Sequence, residues 1–404
     1  MAFAQSTGTG PRSGGTYGES APSEQPYSPS SWELAFVQDC NLRCGYCSTG
    51  WGRFGQGAAV MQPNVWKRLA ELILRMSDGQ PRVHIGFATG ETFLFFDEAM
   101  AFLDHLRGLA AAKQMELDVQ IITNGTLVTE GHLQICLEKK IALCFSIDGP
   151  STKHDRFRKS ADGAPTHRRA LENWRRYRNM VRSVPNGPGC DIYSVLAGNS
   201  RLRDVARYWR RLGAKRFKAL PAEPNKTLCR IDSCGWQSRR DHFLSDIAAL
   251  ALSESTRLRG RPLTQEAVVP AALMDIWRRL DRGEPYSPCG AGYQTIGVDA
   301  AGCLFPCQNF VGFPDRGIGD VRSGVDAAPL AAFRAARSLA ASRCHGCWAR
   351  FLCADGCCAS DPKSGVVLDA WGECAFFQSF AEIGIRTYQG WRDHQGLPGR
   401  TAAL

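Results

Sequence analysis

No stretch of this 404-residue chain stays apolar over the roughly 20 residues that a membrane-spanning helix needs. No membrane partner is therefore expected. The first residues carry no basic start leading into a continuous apolar core, so no secretory signal is expected either. No nucleic-acid module signature accompanies the basic residues, and no nucleic-acid partner is expected. The cysteines number 17, an odd count that excludes a fully paired disulfide framework. Without a secretion signal, so many cysteines point to thiolate ligands in a reducing compartment, and the expected location is cytoplasmic.

What is present is ordinary in bulk. Hydrophobic residues make up 44% and charged residues 22%, as in a globular protein long enough for two domains. The formal net charge of +10 is compatible with an acidic peptide or anionic cofactors. The arginines are scattered (Arg168-Arg169, Arg175-Arg176, Arg210-Arg211, Arg239-Arg240, Arg278-Arg279) and read as solvated faces of amphipathic helices.

Residues 1–30 are rich in Ser, Gly, Pro and Thr and read as a disordered segment. From Trp32 strands and helices alternate. Strands are expected at 33–38, 82–87, 119–122, 143–147, 191–196 and 216–220, and helices at 64–76, 97–112 (Asp97 as N-cap), 129–138, 167–181 and 203–212. Such repetition implies a parallel sheet with helices outside it. Six units over 31–236 are too few for an eight-stranded barrel. Residues 237–287 read as a helical bridge, 288–380 as a loop-rich second domain that depends on metal, and 381–404 as a C-terminal tail.

The first expected strand feeds Cys40-Asn41-Leu42-Arg43-Cys44-Gly45-Tyr46-Cys47. Three thiolates on one short loop can hold three corners of a 4Fe–4S cube and leave the fourth iron open. Structural zinc would want a fourth ligand, often from a second Cys-x2-Cys pair, and none is nearby. The Cys-x3-Cys-x2-Cys spacing, with Tyr46 before the last cysteine, resembles the signature of the radical S-adenosylmethionine (radical SAM) superfamily. The resemblance implies that residues 31–236 form an α/β partial (β/α)6 barrel, and that SAM chelates the open iron and is cleaved by one electron to methionine and a 5′-deoxyadenosyl radical.

Four motifs fall after the expected strands, where parallel α/β folds gather function. Ala88-Thr89-Gly90-Glu91-Thr92 resembles the Gly-Gly-Glu-Pro motif of the SAM amine site, with Thr89 for the first Gly and Thr92 for Pro. The others contain Asn124, Ser146 with Asp148, and Arg158, which is favoured over Arg156 for the SAM carboxylate. The family likeness implies Tyr46, Gly90, Glu91, Asn124, Ser146, Asp148 and Arg158 as the cofactor-binding set, with Ser146 at the ribose. Taken singly, Asn-Gly and Asp-Gly-Pro are ordinary turns. Met61 is as readily a core residue as a site residue.

Cys289-x12-Gly302-x4-Cys307, Cys344-x2-Cys347-x5-Cys353-x3-Cys357 and Cys374 resemble the seven-cysteine SPASM iron–sulfur domain. That likeness implies two auxiliary iron–sulfur clusters of 4Fe–4S type. The first would take Cys289, Cys307 and Cys357, and the second Cys344, Cys347, Cys353 and Cys374. The first set has three ligands, because Thr295 stands where some members carry a fourth cysteine; it is open, or closed by a residue such as Cys303 or Cys358. Of the remaining cysteines, Cys136, Cys144 and Cys190 are expected in the core. Cys229 and Cys234 are expected near the barrel mouth, as structural thiols or as a hydrogen-atom donor.

The combined likeness is to maturases that crosslink ribosomally made peptides. It implies a radical SAM oxidoreductase that takes a peptide or protein substrate, and it admits a separate leader-binding protein as a partner. It also implies a flavodoxin- or ferredoxin-like electron donor. Gln308 stands where anaerobic sulfatase maturases carry an Asp, which argues against formylglycine formation. Two other readings stay open: a radical SAM epimerase or dehydrogenase, and a non-catalytic iron–sulfur or zinc-binding interaction protein.

Overall fold

The computed structural model describes residues 27–214, 217–222, 236–258, 271–283, 289–342, 344, 346–353, 357, 359 and 373–393. Six strands form the parallel body: β1 (Ser31–Leu34), β4 (Arg82–Phe87), β5 (Glu116–Thr123), β6 (Ala142–Ser146), β7 (Cys190–Leu196) and β8 (Lys218–Pro221), hydrogen-bonded in that order. The helices of the repeat are α1 (Pro63–Met76), α2 (Phe96–Ala112), α3 (Glu130–Glu138), α4 (Ser151–Phe157), α5 (His167–Arg182) and α6 (Leu202–Arg211). Helices α1, α2, α5 and α6 each show one apolar stripe to the core. On α5 the buried residues are His167, Ala170, Leu171, Asn173, Trp174 and Tyr177, at helical spacing, while the arginines between them face out. The partial (β/α)6 barrel expected from the sequence is therefore the observed body.

Three expectations need correction. Residues 33–38 are not one strand. Pairing with β4 ends at Leu34, and β2 (Val37–Gln38) peels away to pair antiparallel with β3 (Ala59–Val60). That departure throws residues 39–47 over the end of the sheet. Asp97 is not an N-cap: Phe95 holds that position without a side-chain cap, and Asp97 lies in the first turn, where its charge favours the helix dipole. The stretch from 381 is not a tail as far as it is described, because α11 (Glu373–Asp393) is one continuous helix.

The bridge forms α7 (Trp236–Arg257) and α8 (Ala271–Arg282), and α11 packs on both. The contact is close at Gly384, where an added Cβ would lie 2.7 Å from Ile276 Cγ2. Buried Trp277 donates its indole N–H to the Gly384 carbonyl at 3.1 Å. Beyond the bridge, β9 (Thr295–Val298) pairs parallel with the free edge of β1. The antiparallel strands β10 (Cys303–Phe305), β11 (Gly319–Asp320) and β12 (Gly324–Val325) extend the sheet to ten strands. The C-terminal part thus covers the edge that the barrel leaves open, as edge strands require. It continues as α9 (Ala327–Ser342) and α10 (Arg350–Cys353). Among the described residues no helix is long and apolar enough to cross a membrane.

Candidate radical-initiation site

The loop after β2 is clamped from one side by residues at and just beyond the end of α4. Arg43 N–H donates to the Lys159 carbonyl at 2.8 Å and Gly45 N–H to that of Phe157 at 3.0 Å. Asp39 accepts from Cys40 N–H and from Arg53 Nε, both at 2.9 Å, which sets the angle at which the loop starts. From the other side comes the turn after β4. Gly90 has φ +69°, and a Cβ there would lie 1.9 Å from the Val37 carbonyl, so only glycine allows this approach. Glu91 N–H then donates to the Asp39 carbonyl at 2.8 Å.

Each of the three loop sulfurs has donors aimed at it. Cys40 Sγ accepts from Leu42 N–H at 3.4 Å and faces Asn124 Nδ2 at 3.7 Å. Cys47 Sγ accepts from Trp51 N–H at 3.1 Å. Cys44 has the Arg158 guanidinium beside it. Burial pushes the Cys44 thiol up to about 11 although Arg158 pulls the other way, and burial raises Cys40 further. At Cys40 and Cys44 donors stand ready for thiolates whose burial disfavours the charge. A bound metal reverses that logic by deprotonating its thiol ligands outright, so this donor set fits an iron–sulfur cluster. Among the described residues no three His, Cys, Asp or Glu side chains close around a single metal ion. A cube takes its ligands at separate corners.

Behind Cys44 lies a buried triad. Asp148 accepts from Arg158 Nε at 3.0 Å, from Val195 N–H at 2.9 Å, and in a short contact from the Tyr46 hydroxyl. Burial works against the Arg158 charge, but Asp148, Tyr46 and Cys44 outweigh it and hold the guanidinium well above its ordinary value. Arg156, by contrast, is exposed and lies over the Phe157 ring. Beside Tyr46 and Cys44, a small apolar shelf is made by Phe157, Val195, Ala197 and Ala222.

The structure brings Tyr46, Gly90, Glu91, Asn124, Asp148 and Arg158 to the rim around the cysteine loop, and Ser146 lies buried at the end of β6. Several are already engaged. Glu91 accepts from Asn124 N–H at 2.7 Å, Thr123 Oγ1 at 2.8 Å and Phe93 N–H at 3.2 Å, tying the β4 and β5 ends together. Its carboxyl is pushed up to about 7 by burial, against those three donors. Asn124 Nδ2 donates to Asn41 Oδ1 at 2.9 Å. Glu91, Asn124 and Asp148 thus hold the loop in place. Sequence reasoning gave Thr89 no role of its own. Its buried hydroxyl has no hydrogen-bond partner, an expense that a polar ligand would remove. Met61 is buried in the main core, as are Cys136 and, in β6, Cys144; Cys190 is half-buried.

The C-terminal cysteines fall into two neighbourhoods. Buried Cys307 packs with Ala35, Phe305 and Phe310, and Cys289, Cys303 and Cys357 pack against the same group. Gly297 makes room for this, since a Cβ there would lie 2.5 Å from the Cys307 backbone. Phe54, just past the first loop, joins the group and presses on Gly312, so the two cysteine regions share one apolar patch. Elsewhere burial, and then the nearby Cys347, push the Cys344 thiol above its ordinary value. Gln378 of α11, the helix that carries Cys374, donates to Cys347 Sγ at 3.4 Å, and α10, which ends in Cys353, packs on α11. Cys229, Cys234 and Cys358 lie outside the described residues.

Comparison with known proteins agrees with this layout. The radical SAM superfamily model matches residues 34–201, from β1 to the loop before α6. A cysteine-type anaerobic sulfatase-maturating enzyme of Clostridium perfringens is 28% identical over 187 residues, covering 45% of this chain and 47% of the relative. The chain thus matches about half the length of that relative. The structure of native anSMEcpe with bound AdoMet and Cp18Cys peptide superposes with a TM-score of 0.70, at 19% identity, over 90% of this chain and 99% of that one. Streptococcus suis SuiB bound to S-adenosylmethionine superposes at 0.55, with 17% identity over 82% and 74%. At such identities the structural likeness speaks for the fold. Residues 34–201 thus match the radical SAM superfamily model over the segment that carries the donor-ringed cysteine loop.

Proposed function

We propose that this chain is a radical SAM maturase that modifies a peptide or protein and forms a crosslink, a thioether or similar bond, to an unactivated carbon. The observation that carries the reading is the pairing of two sites at one barrel mouth. Cys40, Cys44 and Cys47 have donors on their sulfurs, and the Cys289–Cys303–Cys307–Cys357 group shares an apolar patch with the segment that follows them. Bound together at the first site, a 4Fe–4S cluster and SAM supply a carbon radical able to take a hydrogen atom from an unactivated C–H bond.

The chain's own residues do the rest. Cys40, Cys44 and Cys47 hold the cluster. Arg158, held charged by Asp148, offers the SAM carboxylate a guanidinium that cannot deprotonate at physiological pH. Thr89 Oγ1 is a free partner for the SAM amine or carboxylate. The shelf of Phe157, Val195, Ala197 and Ala222 suits an apolar purine face, with Ser146 near the ribose. Cys289, Cys307 and Cys357 are ligands for one auxiliary cluster, with Cys303 the nearest described candidate to close it, and Cys344, Cys347, Cys353 and Cys374 are ligands for another. Such clusters suit a reaction that ends in net oxidation, because the product radical must lose an electron. On this reading residues 31–236 are the radical domain, 237–287 the bridge and 288–380 the auxiliary-cluster domain. A low-potential electron donor and, for some substrates, a separate leader-binding protein are the implied partners.

A second reading, oxidation of a substrate cysteine, is favoured by the sequence match to the cysteine-type maturase. Gln308, an amide with no acid–base capacity, stands against it. Anaerobic incubation of the reconstituted protein with SAM, reductant and candidate peptides separates the cases. A crosslink gives a product lighter by two hydrogens whose fragments stay joined. An aldehyde in place of a thiol supports the second reading, and an absence of 5′-deoxyadenosine with clusters intact rejects both.

A further inference from the structure

The cysteine loop reaches the surface at Gly45, which is exposed. What surrounds that point is basic. Lys159, whose carbonyl holds Arg43 N–H, is exposed, and so is Arg156, which covers the Phe157 ring. Phe157 in turn lies 3.9 Å from the position of a Cβ on Gly45, so one aromatic ring fills the space between the outer guanidinium and the loop. Thr166 Oγ1 donates to the Arg158 carbonyl at 2.7 Å and brings the first turn of α5 alongside, adding exposed Arg168 and Arg169. Arg43 itself lies over the Trp51 ring and donates to the Cys40 carbonyl at 2.5 Å.

The acids nearby offset this face only in part. Asp155 accepts from Thr166 N–H and His167 N–H, both at 2.8 Å, and so serves the start of α5. Asp162 is bound to Ser160 Oγ and Ala164 N–H within its own turn. Asp39 is paired with Arg53. Glu172 is exposed one turn along α5. Among the described residues, no ion pair engages Arg43, Arg156, Lys159, Arg168 or Arg169.

We propose that Arg156, Lys159, Arg168 and Arg169 form the docking face for a small acidic electron-carrier protein, which delivers the electron that the Cys40–Cys44–Cys47 site needs. The inference rests on the radical SAM reading above. An unpaired cationic face steers an acidic partner and fixes its orientation. Its place decides between acidic partners: electron tunnelling falls off steeply with distance, and this face abuts the cysteine loop where that loop meets solvent. One electron leaves the reduced flavin or iron–sulfur group of the carrier and enters at the cysteine-loop site. No bond is made or broken between the two proteins, and the carrier departs oxidised.

The test uses the reconstituted holoprotein and an acidic recombinant flavodoxin. Binding is measured by calorimetry, and SAM cleavage is measured with reduced flavodoxin and, separately, with dithionite. Lys159→Glu/Arg168→Glu/Arg169→Glu should weaken flavodoxin binding at least about tenfold and slow flavodoxin-driven cleavage by a similar factor, with dithionite-driven cleavage unchanged. Binding within about twofold of the native protein would overturn the proposal. Should the triple variant lose dithionite-driven cleavage as well, the native protein still decides. Its flavodoxin affinity should fall several-fold between roughly 50 and 300 mM salt, and a flat response rejects the docking face. Native protein that fails to cleave SAM with dithionite indicts the radical SAM reading itself.

Discussion

At the residue scale, the cysteine loop depends on a few buried polar groups that have no slack. Replacing Cys40, Cys44 and Cys47 by Ala should remove the iron–sulfur absorbance of the first cluster and abolish 5′-deoxyadenosine formation, read by chromatography. Arg158→Gln strands the Asp148 carboxylate in the interior. Breaking such a buried pair costs about 3–5 kcal/mol, so a clear fall in melting temperature should accompany weaker SAM binding. Glu91 gives a pH signature. Its carboxyl sits at about 7 in the fold against an ordinary 4.5, because burial disfavours its charge. A raised pKa means the folded state holds the proton longer, so this contribution is full below pH 4.5 and is lost as pH rises through 7. The loss amounts to about 3 kcal/mol, and Glu91→Gln should flatten that part of the stability profile in urea titrations. The residue types here could be read from sequence because their spacing resembles a family signature. Their division of labour could not: Glu91, Asn124 and Asp148 brace the loop through contacts that cross 33, 83 and 102 residues of chain.

At the scale of elements, the site is set by where strands stop. Pairing between β1 and β4 ends at Leu34, and the two-residue β2–β3 ribbon redirects the chain before Cys40. Periodicity cannot show such a break, since the apolar run through Phe36 and Val37 continues across it. Gly90 is the tightest point of the arrangement. Gly90→Ala would place a methyl 1.9 Å from the Val37 carbonyl at a positive φ. The backbone must shift, at a cost of about 1–3 kcal/mol. Iron retention after reconstitution should drop with it, measured by iron and sulfide analysis. The helices of the barrel were legible almost throughout, because α1, α5 and α6 each carry a regular apolar stripe. Helix α11 was not, since its role depends on meeting α7 and α8 from across the chain.

For the whole molecule, the C-terminal part is bound into the barrel through β9 and not hung beside it. Cys307 therefore stands next to Ala35, between β1 and the β2 strand that leads into the first cysteine loop. Replacing Cys289 and Cys307 by Ala should leave SAM cleavage running while the peptide product disappears, an uncoupling visible by comparing 5′-deoxyadenosine with product mass. If both fall together, the auxiliary region supports the fold and not the termination of the radical.

By itself the sequence determined the chemistry types and the repeat: cysteine spacings are covalently local, and apolar stripes of period 3.6 and strand runs survive without any knowledge of neighbours. It also carried the likeness to radical SAM and SPASM proteins, which rests on the same local spacings. Only the tertiary structure decided that Arg158, which the sequence favoured over Arg156, is buried beside Cys44, and that Thr89 keeps a buried hydroxyl free. The fold also joined the two cysteine regions over one apolar patch. These outcomes depend on which distant strands end at the same level of one sheet, and hydrogen bonding between strands sets that level.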